Sequence, residues 1–440
     1  MKVHFIGIGG IGVSALAQYY LEKGNTVSGS DLDSSEVTDF LAKKGVKILI
    51  GNKAENISAD FDLIIHSPAV KSNNPEMLQA LSFKLQTKSY PEALGELTRQ
   101  YKTIAISGSH GKSTTTAMTA LLLIAAGVDP TVIVGTKLKE FGGSNFRMGK
   151  SKYLVIEACE YDGSFLEYSP KIAVITNVDK EHLDYFKTFA NVKKAFKDFA
   201  KKVPKDGFLI TEETLRQAQG KDAKKLAKIL KVPGQHNISN ALAALAVGRV
   251  LGVKDSVAFK ALSEFTGTWR RFELKESKVS GFKIQVVSDY GHHPTEVMAT
   301  LKAAREKFGK KNPSTGLRTR IWLIFQPHQY QRTYYLFNDF VKLFKGAAAN
   351  TYAVASQRTT AKGPKIDHMI ITDIYDVAGR EEKQINKKVS AEILVKKINK
   401  KNVQYMSLDA AEKFVKQNIK SGEVVIIMGA GNVYRLYDKF

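Results

Sequence analysis

Two glycine-bearing turns carry the residues best suited to chemistry. The first, Gly7-Ile8-Gly9-Gly10-Ile11-Gly12, satisfies G-x-G-x-x-G through Gly7, Gly9 and Gly12; it follows an apolar run from Val3 and opens a helical pattern over Val13–Leu21. Glycines let the backbone approach a diphosphate, and the free N–H groups and positive dipole of a helix start hold it. Gly10 lies within the same turn. Asp31, after the strand pattern Thr26–Ser30, stands where a ribose-binding acid is expected. The residues alone admit NAD, FAD or a sugar nucleotide as ligand. Three glycines and an acid in agreement disfavour a turn with no ligand.

The second turn, Ser107-Gly108-Ser109-His110-Gly111-Lys112-Ser113-Thr114, ends in the Gly-Lys-Ser of a phosphate-binding loop. It is short for that motif: Ile106 occupies the position five residues before Gly111, and Gly108 supplies the glycine instead. Backbone N–H groups of such a loop cradle phosphates, Lys112 reaches the terminal ones, and the Ser113 or Thr114 hydroxyl can ligate Mg²⁺. ATP is the expected ligand. A diphosphate site and an ATP site in one chain argue for an ATP-driven reaction on a nucleotide-linked substrate, ahead of hydride transfer.

Two acidic clusters follow strand patterns. Glu157-Ala158-Cys159-Glu160-Tyr161-Asp162 ends the run Tyr153–Ala158, and Asp179-Lys180-Glu181-His182-Leu183-Asp184 follows Lys171–Thr176. Parallel sheets bind ligands at the carboxyl ends of their strands, and hard Mg²⁺ prefers oxygen, so Glu157 and then His182 are the expected metal ligands. Cys159 reads as a small buried side chain.

The elements that must position these residues repeat one plan three times: an apolar strand, a turn bearing glycine or histidine, then a helix. Strands alternating with helices imply α/β units with mostly parallel sheets. The expected domains are residues 1–98, Rossmann-like; 99–266, of the phosphate-loop ATPase type; and 267–440, Rossmann-like. The third has strand patterns at Ile284–Ser288, Ile321–Phe325, Thr351–Ala355 and Val424–Met428. The polar stretches Leu215–Lys231 and Asn312–Thr319 read as surface insertions.

A chain of 440 residues with 43% hydrophobic and 25% charged residues has ample core for two to four domains. No run approaches the ~20 apolar residues a membrane span needs, so membrane insertion is not expected. One cysteine allows neither an intrachain disulfide nor a zinc cluster, and no basic-then-apolar leader follows Met1, so a cytoplasmic location is expected. The net charge of +23 is spread as single lysines and pairs without a finger or a stacked-aromatic motif, and nucleic acid is not an expected partner.

The motifs together resemble the Mur ligase family over nearly the whole chain. The resemblance rests on the first turn with Ser28–Asp31, His66–Val70 with Asn74-Pro75-Glu76, and Gly108–Thr114. It continues through Pro233–Ala241, Trp269–Glu273, Asp289–Glu296, Phe325–Thr333, Asp373–Gly379 and Gly429–Gly431. It implies ATP-dependent ligation of L-alanine to the lactyl carboxylate of UDP-N-acetylmuramate through an acyl phosphate, with Mg²⁺, by a monomer or weak homodimer. The related family reaction, attachment of a murein tripeptide to the same nucleotide, and a regulatory nucleotide-binding protein without turnover are the alternatives. The resemblance assigns Gly7, Gly9, Gly10, Gly12, Ser30, Asp31, Ser67, His292 and His328 to substrate. It assigns Gly108 through Thr114, with Asn237 and Asn240, to ATP; Ser113, Thr114, Glu157 and His182 to the metal; and Lys112, Glu157, His182, Arg271, His293 and Arg332 to catalysis. The sequence departs from the family between Gly207 and Gly234, where too few residues remain for an accessory sheet, and at Gln329 and Gln331.

Overall fold

A computed structural model describes residues 1–309, 318–349, 351–353, 360–362, 364–376 and 384–440. The chain divides into two units. The first comprises Met1–Lys180, Phe189–Ile229 and Ser239–Thr268, and the second Glu181–Thr188, Leu230–Ile238 and Trp269–Phe440.

The first unit holds two sheets. In one, the strands Lys47–Ile50, Thr26–Asp31, Lys2–Ile6, Leu63–His66 and Thr87–Ser89 lie side by side in that order, all parallel. Val3, Phe5 and Ile6 are fully buried because this central strand is covered on both faces. In the other, the order is Phe208–Thr211, Pro170–Ile175, Lys102–Ser107, Tyr153–Glu157, Thr131–Leu138 and Ser144–Arg147, and only the last pair is antiparallel. The register sets Ser107 opposite Ile175 and Ile106 opposite Glu157, so the phosphate loop and both acidic clusters leave the same carboxyl edge.

The two sheets of this unit are tied by polar side chains. From the helix Ile11–Glu22, Gln18 donates to Asn145 Oδ1 (2.9 Å) and accepts from Ser144 Oγ (2.9 Å), while Asn145 Nδ2 donates to Ser14 Oγ (3.0 Å). These groups are buried and reciprocally satisfied, which removes the usual cost of burying amides.

The second unit is built on the order Glu273–Val279, Phe282–Asp289, Val424–Met428, Ile321–Phe325, His368–Ile371 and Val403–Tyr405, parallel except for the first pair. Val287, Leu323, Phe325 and Ile371 meet one apolar layer with Val297, Leu301 and Phe344, while Val286, Trp322, Ile324 and Ile427 meet another with Val415 and Leu436. Both faces are covered, as in a doubly wound sheet.

Three mostly parallel α/β sheets agree with the sequence expectation, and the strands Ile321–Phe325 and Val424–Met428 coincide with the expected ones. Of Leu215–Lys231, residues 215–229 lie in an 18-residue helix, Glu212–Ile229, most of whose described side chains are exposed or half-buried. Reciprocal hydrogen bonds between Thr211 and Thr214 start this helix, and among its described side chains only Leu215 and Leu226 are buried, too sparse a stripe to show as a helical period. Phe208–Thr211 extends the parallel sheet, and residues 208–233 form no separate one. Of Asn312–Thr319, only residues 318–319 are described; residues 354–355 of the expected strand Thr351–Ala355 and 377–379 of Asp373–Gly379 also lie outside the described residues. Among the described residues no helix is long and apolar enough to cross a membrane.

Candidate active site

The first turn is shaped by its glycines. Gly7 has φ +79°, and the N–H groups of Gly7 and Ile8 donate to the Ser30 carbonyl. The Gly9 N–H donates to Asp31 Oδ2 (2.8 Å), and a Cβ on Gly9 would stand 2.9 Å from that oxygen. Asp31 therefore braces the turn in addition to standing at the end of its strand. The buried Ser30 hydroxyl donates to Glu76 Oε2 (2.8 Å). Burial raises the Glu76 carboxyl above its usual range, against the hydrogen bonds from Asn56 and Ser30. Ser67 packs against Gly7, where a Cβ would meet its own at 2.9 Å.

In the second turn Gly108 (φ +134°) and Gly111 (φ +84°) adopt conformations that side chains rarely tolerate. A Cβ on Gly108 would reach 2.0 Å from Thr176 Oγ1, and one on Gly111 2.4 Å from Asn240 Oδ1. The Ser109 N–H donates to the Asn177 carbonyl and the His110 N–H to Asn177 Oδ1. Thr176 Oγ1 donates to the His110 carbonyl (2.7 Å), and the Asp179 N–H donates to Ser109 Oγ (2.9 Å). The neighbouring strand end thus holds the loop by both backbone and side chain. His110 Nε2 lies 3.1 Å from Asp179 Oδ2.

Lys112, the first residue of the helix Lys112–Ala125, folds back over this loop. Its ammonium donates to the carbonyls of Gly108 (2.6 Å) and Ser109 (3.2 Å) and pairs with the fully buried carboxylate of Glu160. Burial alone would lower the lysine pKa, but Glu160, with Cys159 and Glu157, turns the shift upward, so the ammonium stays charged. Ser113 and Thr114 are buried at the same helix start. Glu157 Oε2 accepts from the Gly135 N–H (2.9 Å).

In the second unit a buried carboxylate organises the other expected residues. Glu181 Oε1 accepts from Arg332 Nε (3.1 Å) and Nη2 (2.8 Å), and its Oε2 lies 3.6 Å from His293 Nε2. Burial pushes the Glu181 carboxyl up, yet Arg332 and then the nearby histidines bring it well below the usual range. His293 caps the helix Pro294–Phe308, its Nδ1 accepting from the Thr295 N–H (3.3 Å), which leaves Nε2 to carry the proton that faces Glu181. His328 Nδ1 accepts from Arg332 Nη1 (3.1 Å), and its ring stacks on Tyr375 and lies 5.3 Å from that of His292. Burial, then Arg332, depresses His292 to about 4 and keeps it neutral. Arg271 pairs with Glu296 (3.3 Å) and lies over the Tyr290 ring. His182 adopts a left-handed conformation (φ 55°, ψ 40°) before the turn Leu183–Phe186. Gln329 also has positive φ (65°), and its Oε1 accepts from Arg332 Nη1 (3.3 Å). Asn237 Nδ2 donates to the Pro233 carbonyl (2.7 Å).

Gly108 through Thr114, Glu157 and Asn240 thus lie in the first unit with the first turn, and His182, Asn237, Arg271, His292, His293, His328 and Arg332 in the second. Sequence reasoning grouped Glu160, Asp179 and Glu181 in the acidic clusters without assigning them partners, and gave Asn177 and Glu76 no role of their own; these residues hold the ones it did select. For all but Glu76, which lies in the first turn of the helix Pro75–Ser82, the available signal was their place beside selected residues at strand ends.

Residues 2–102 match the Mur ligase family catalytic domain, 106–228 the Mur ligase middle domain, and 270–431 the Mur ligase glutamate ligase domain. A UDP-N-acetylmuramate–L-alanine ligase of Acetivibrio thermocellus is 38% identical over 480 aligned positions, covering 100% of this chain and 95% of that protein. One from Clostridium tetani is 40% identical, covering 100% and 97%. Among solved structures, the UDP-N-acetylmuramate-alanine ligase of Thermotoga maritima superposes with a TM-score of 0.76 at 28% identity, covering 100% of this chain and 98% of that one.

Proposed function

The chain belongs to the Mur ligase family, and from that premise we propose that it joins L-alanine to the lactyl carboxylate of UDP-N-acetylmuramate in an ATP-dependent, amide-forming reaction of peptidoglycan precursor synthesis. The observation that carries the reading is the buried Lys112–Glu160 pair under a glycine loop, in the same unit as the Gly7–Gly12 turn. One compact unit then presents a charged lysine for a triphosphate and a second glycine turn for a nucleotide diphosphate. Identity of 38–40% over the whole chain to ligases of that name supports the amino acid.

In this proposal residues 1–98 bind the nucleotide sugar, 99–266 bind ATP and 267–440 receive the amino acid. The Gly7, Gly9, Gly10 and Gly12 turn, with Ser30, Asp31 and Ser67, takes the UDP portion through backbone N–H groups at a helix start. Gly108 through Thr114, with Asn237 and Asn240, take ATP. A carboxylate oxygen attacks the γ-phosphorus and ADP leaves, giving an acyl phosphate; Lys112 offsets the charge gathering on the transferred group. The amine of L-alanine then adds to the carbonyl carbon, loses its proton, and phosphate departs. Arg271, His292, His293, His328 and Arg332 are the residues proposed to orient the amino acid and the departing phosphate.

Ser113, Thr114, Glu157 and His182 are the proposed Mg²⁺ ligands. The donors fit a hard cation: buried hydroxyls at a helix start, and a Glu157 carboxylate with one oxygen on the Gly135 N–H and the other without a hydrogen bond among the described residues. Bound Mg²⁺ supplies charge neutralisation between phosphate oxygens. The protein is proposed to act in the cytoplasm as a monomer or weak homodimer.

Phosphate release from ATP, Mg²⁺ and UDP-N-acetylmuramate tests the reading, with L-alanine or the murein tripeptide as acceptor. Release dependent on L-alanine is expected. Release only with the tripeptide would move the chain to the recycling reaction, and release with neither would overturn a ligase.

A further inference from the structure

Tyr90 lies against the first glycine turn of the first unit, and neither glycine motif includes it. It is the first residue of the helix Tyr90–Gln100, directly after the strand Thr87–Ser89, and so stands at the same carboxyl edge as the Gly7–Gly12 turn. The helix start is fixed by a capping box between Ser89 and Glu92 and by Pro91 in its first turn. The phenol lies on Gly12: a Cβ there would stand 2.8 Å from the Tyr90 hydroxyl and 2.9 Å from Cζ. The third glycine of the motif is therefore required by a tyrosine ring.

The helix is held against the second sheet's side of the unit. A Cβ on Gly95 would lie 2.7 Å from the Glu167 carbonyl oxygen, which shows how closely the two backbones approach. Thr98 Oγ1 accepts from the Ser169 N–H (3.0 Å), and the Thr98 carbonyl accepts from Thr103 Oγ1 (2.9 Å). Leu94 and Leu97 are buried along the same helix. Burial, followed by the negative charge of Glu157 and the neighbouring Cys159, raises the Tyr90 pKa, so the hydroxyl keeps its proton at neutral pH. That hydroxyl makes no hydrogen bond to a described residue. A donor fixed by this packing thus stands on the diphosphate turn, within electrostatic reach of Glu157 at the end of Tyr153–Glu157.

We propose that the Tyr90 hydroxyl is a catalytic residue that donates a hydrogen bond to the carboxyl group of the nucleotide sugar. The inference rests on the ligase reading above and names a protein group that contacts the reacting centre. One carboxylate oxygen attacks phosphorus. The other remains as the carbonyl oxygen of the acyl phosphate and carries the negative charge when the amine adds, and a fixed donor there acts most strongly at that step. The tyrosine donates without losing its proton, and the proton released by the amine leaves by another route.

Tyr90→Phe keeps the ring on Gly12 and removes only the donor. With UDP-N-acetylmuramate, ATP, Mg²⁺ and L-alanine, kcat is expected to fall by about 10²-fold, the scale of a lost oxyanion donor. The KM for ATP and the melting temperature are expected to stay at wild-type values. Wild-type kcat in the variant overturns the inference while leaving the ligase reading intact. A lowered melting temperature with a matching rise in the KM for ATP also overturns it, by making Tyr90 a packing residue. Wild-type protein that releases no phosphate would overturn the ligase reading itself and the Tyr90 role with it.

Discussion

The ammonium of Lys112 lies 2.8 Å from Oε2 and 3.1 Å from Oε1 of Glu160, a side chain with no exposed surface. A buried charge left without its partner is strongly destabilising. Glu160→Gln should therefore lower the stability of the nucleotide-free protein by up to about 3–5 kcal/mol, and saturating ATP should restore most of it because phosphates replace the missing negative charge. Denaturation curves with and without ATP check this. An equal loss in both would show that Lys112 does not turn to a phosphate ligand.

Lys112→Ala should abolish phosphate release while leaving UDP-N-acetylmuramate binding nearly unchanged, because the sugar nucleotide is proposed to sit on the other turn. Calorimetric titration of the nucleotide sugar, beside the turnover assay, reads both halves. Turnover at the wild-type rate would remove the loop from the mechanism.

Gly9→Val should do the reverse. A Cβ at residue 9 already stands 2.9 Å from Asp31 Oδ2 and 3.3 Å from Thr38 Cγ2, so the larger side chain displaces Asp31 and crowds the turn. Affinity for the nucleotide sugar should drop by tenfold or more while ATP binding persists. Unchanged binding of both ligands would make the first turn purely structural.

His182→Ala should lose activity that higher Mg²⁺ partly restores, since Glu157 and phosphate oxygens remain as ligands. A shift of the Mg²⁺ midpoint of turnover to higher concentration is the expected result. An unshifted midpoint with a lowered melting temperature would make the histidine structural.

Three histidines, His4 buried and His236 and His292 half-buried, set a pH dependence of folding. His4, His236 and His292 are each depressed to about 4, chiefly by burial, with Lys47, Arg271 and Arg332 respectively adding to it. They stay neutral when folded and protonate near 6.5 when unfolded, so the unfolded chain binds more protons between these values. Stability should rise from pH 4 to 6.5 and be lost progressively as pH falls through that window. His4, which shares a hydrogen bond with Ser28 (2.9 Å) and stacks on Phe61, offers the test. His4→Gln should reduce the slope by up to one proton, about 1.4 kcal/mol per pH unit. Chemical denaturation at pH 4.5 and 6.5 measures it, and an unaltered slope would mean that His4 is protonated in the native state.

Local chemistry was legible in the amino-acid sequence: the two turns, Lys112, and strands such as Ile321–Phe325 and Val424–Met428 follow from glycine spacing and apolar runs within a few residues. The helix Glu212–Ile229 was not, because among its described side chains the buried face is little more than Leu215 and Leu226, and its start is signalled only by a pair of threonines. The partners of the charged residues were decided by tertiary structure alone. Glu160 meets Lys112 across 48 residues, and Glu181 meets Arg332 across 151. Tyr90 reaches Gly12 only because strand order places the end of Thr87–Ser89 at the same edge as the first turn. Side-chain type and spacing determine what a residue can do. Which acid neutralises which base depends on register and burial, quantities that exist only once distant segments are packed together.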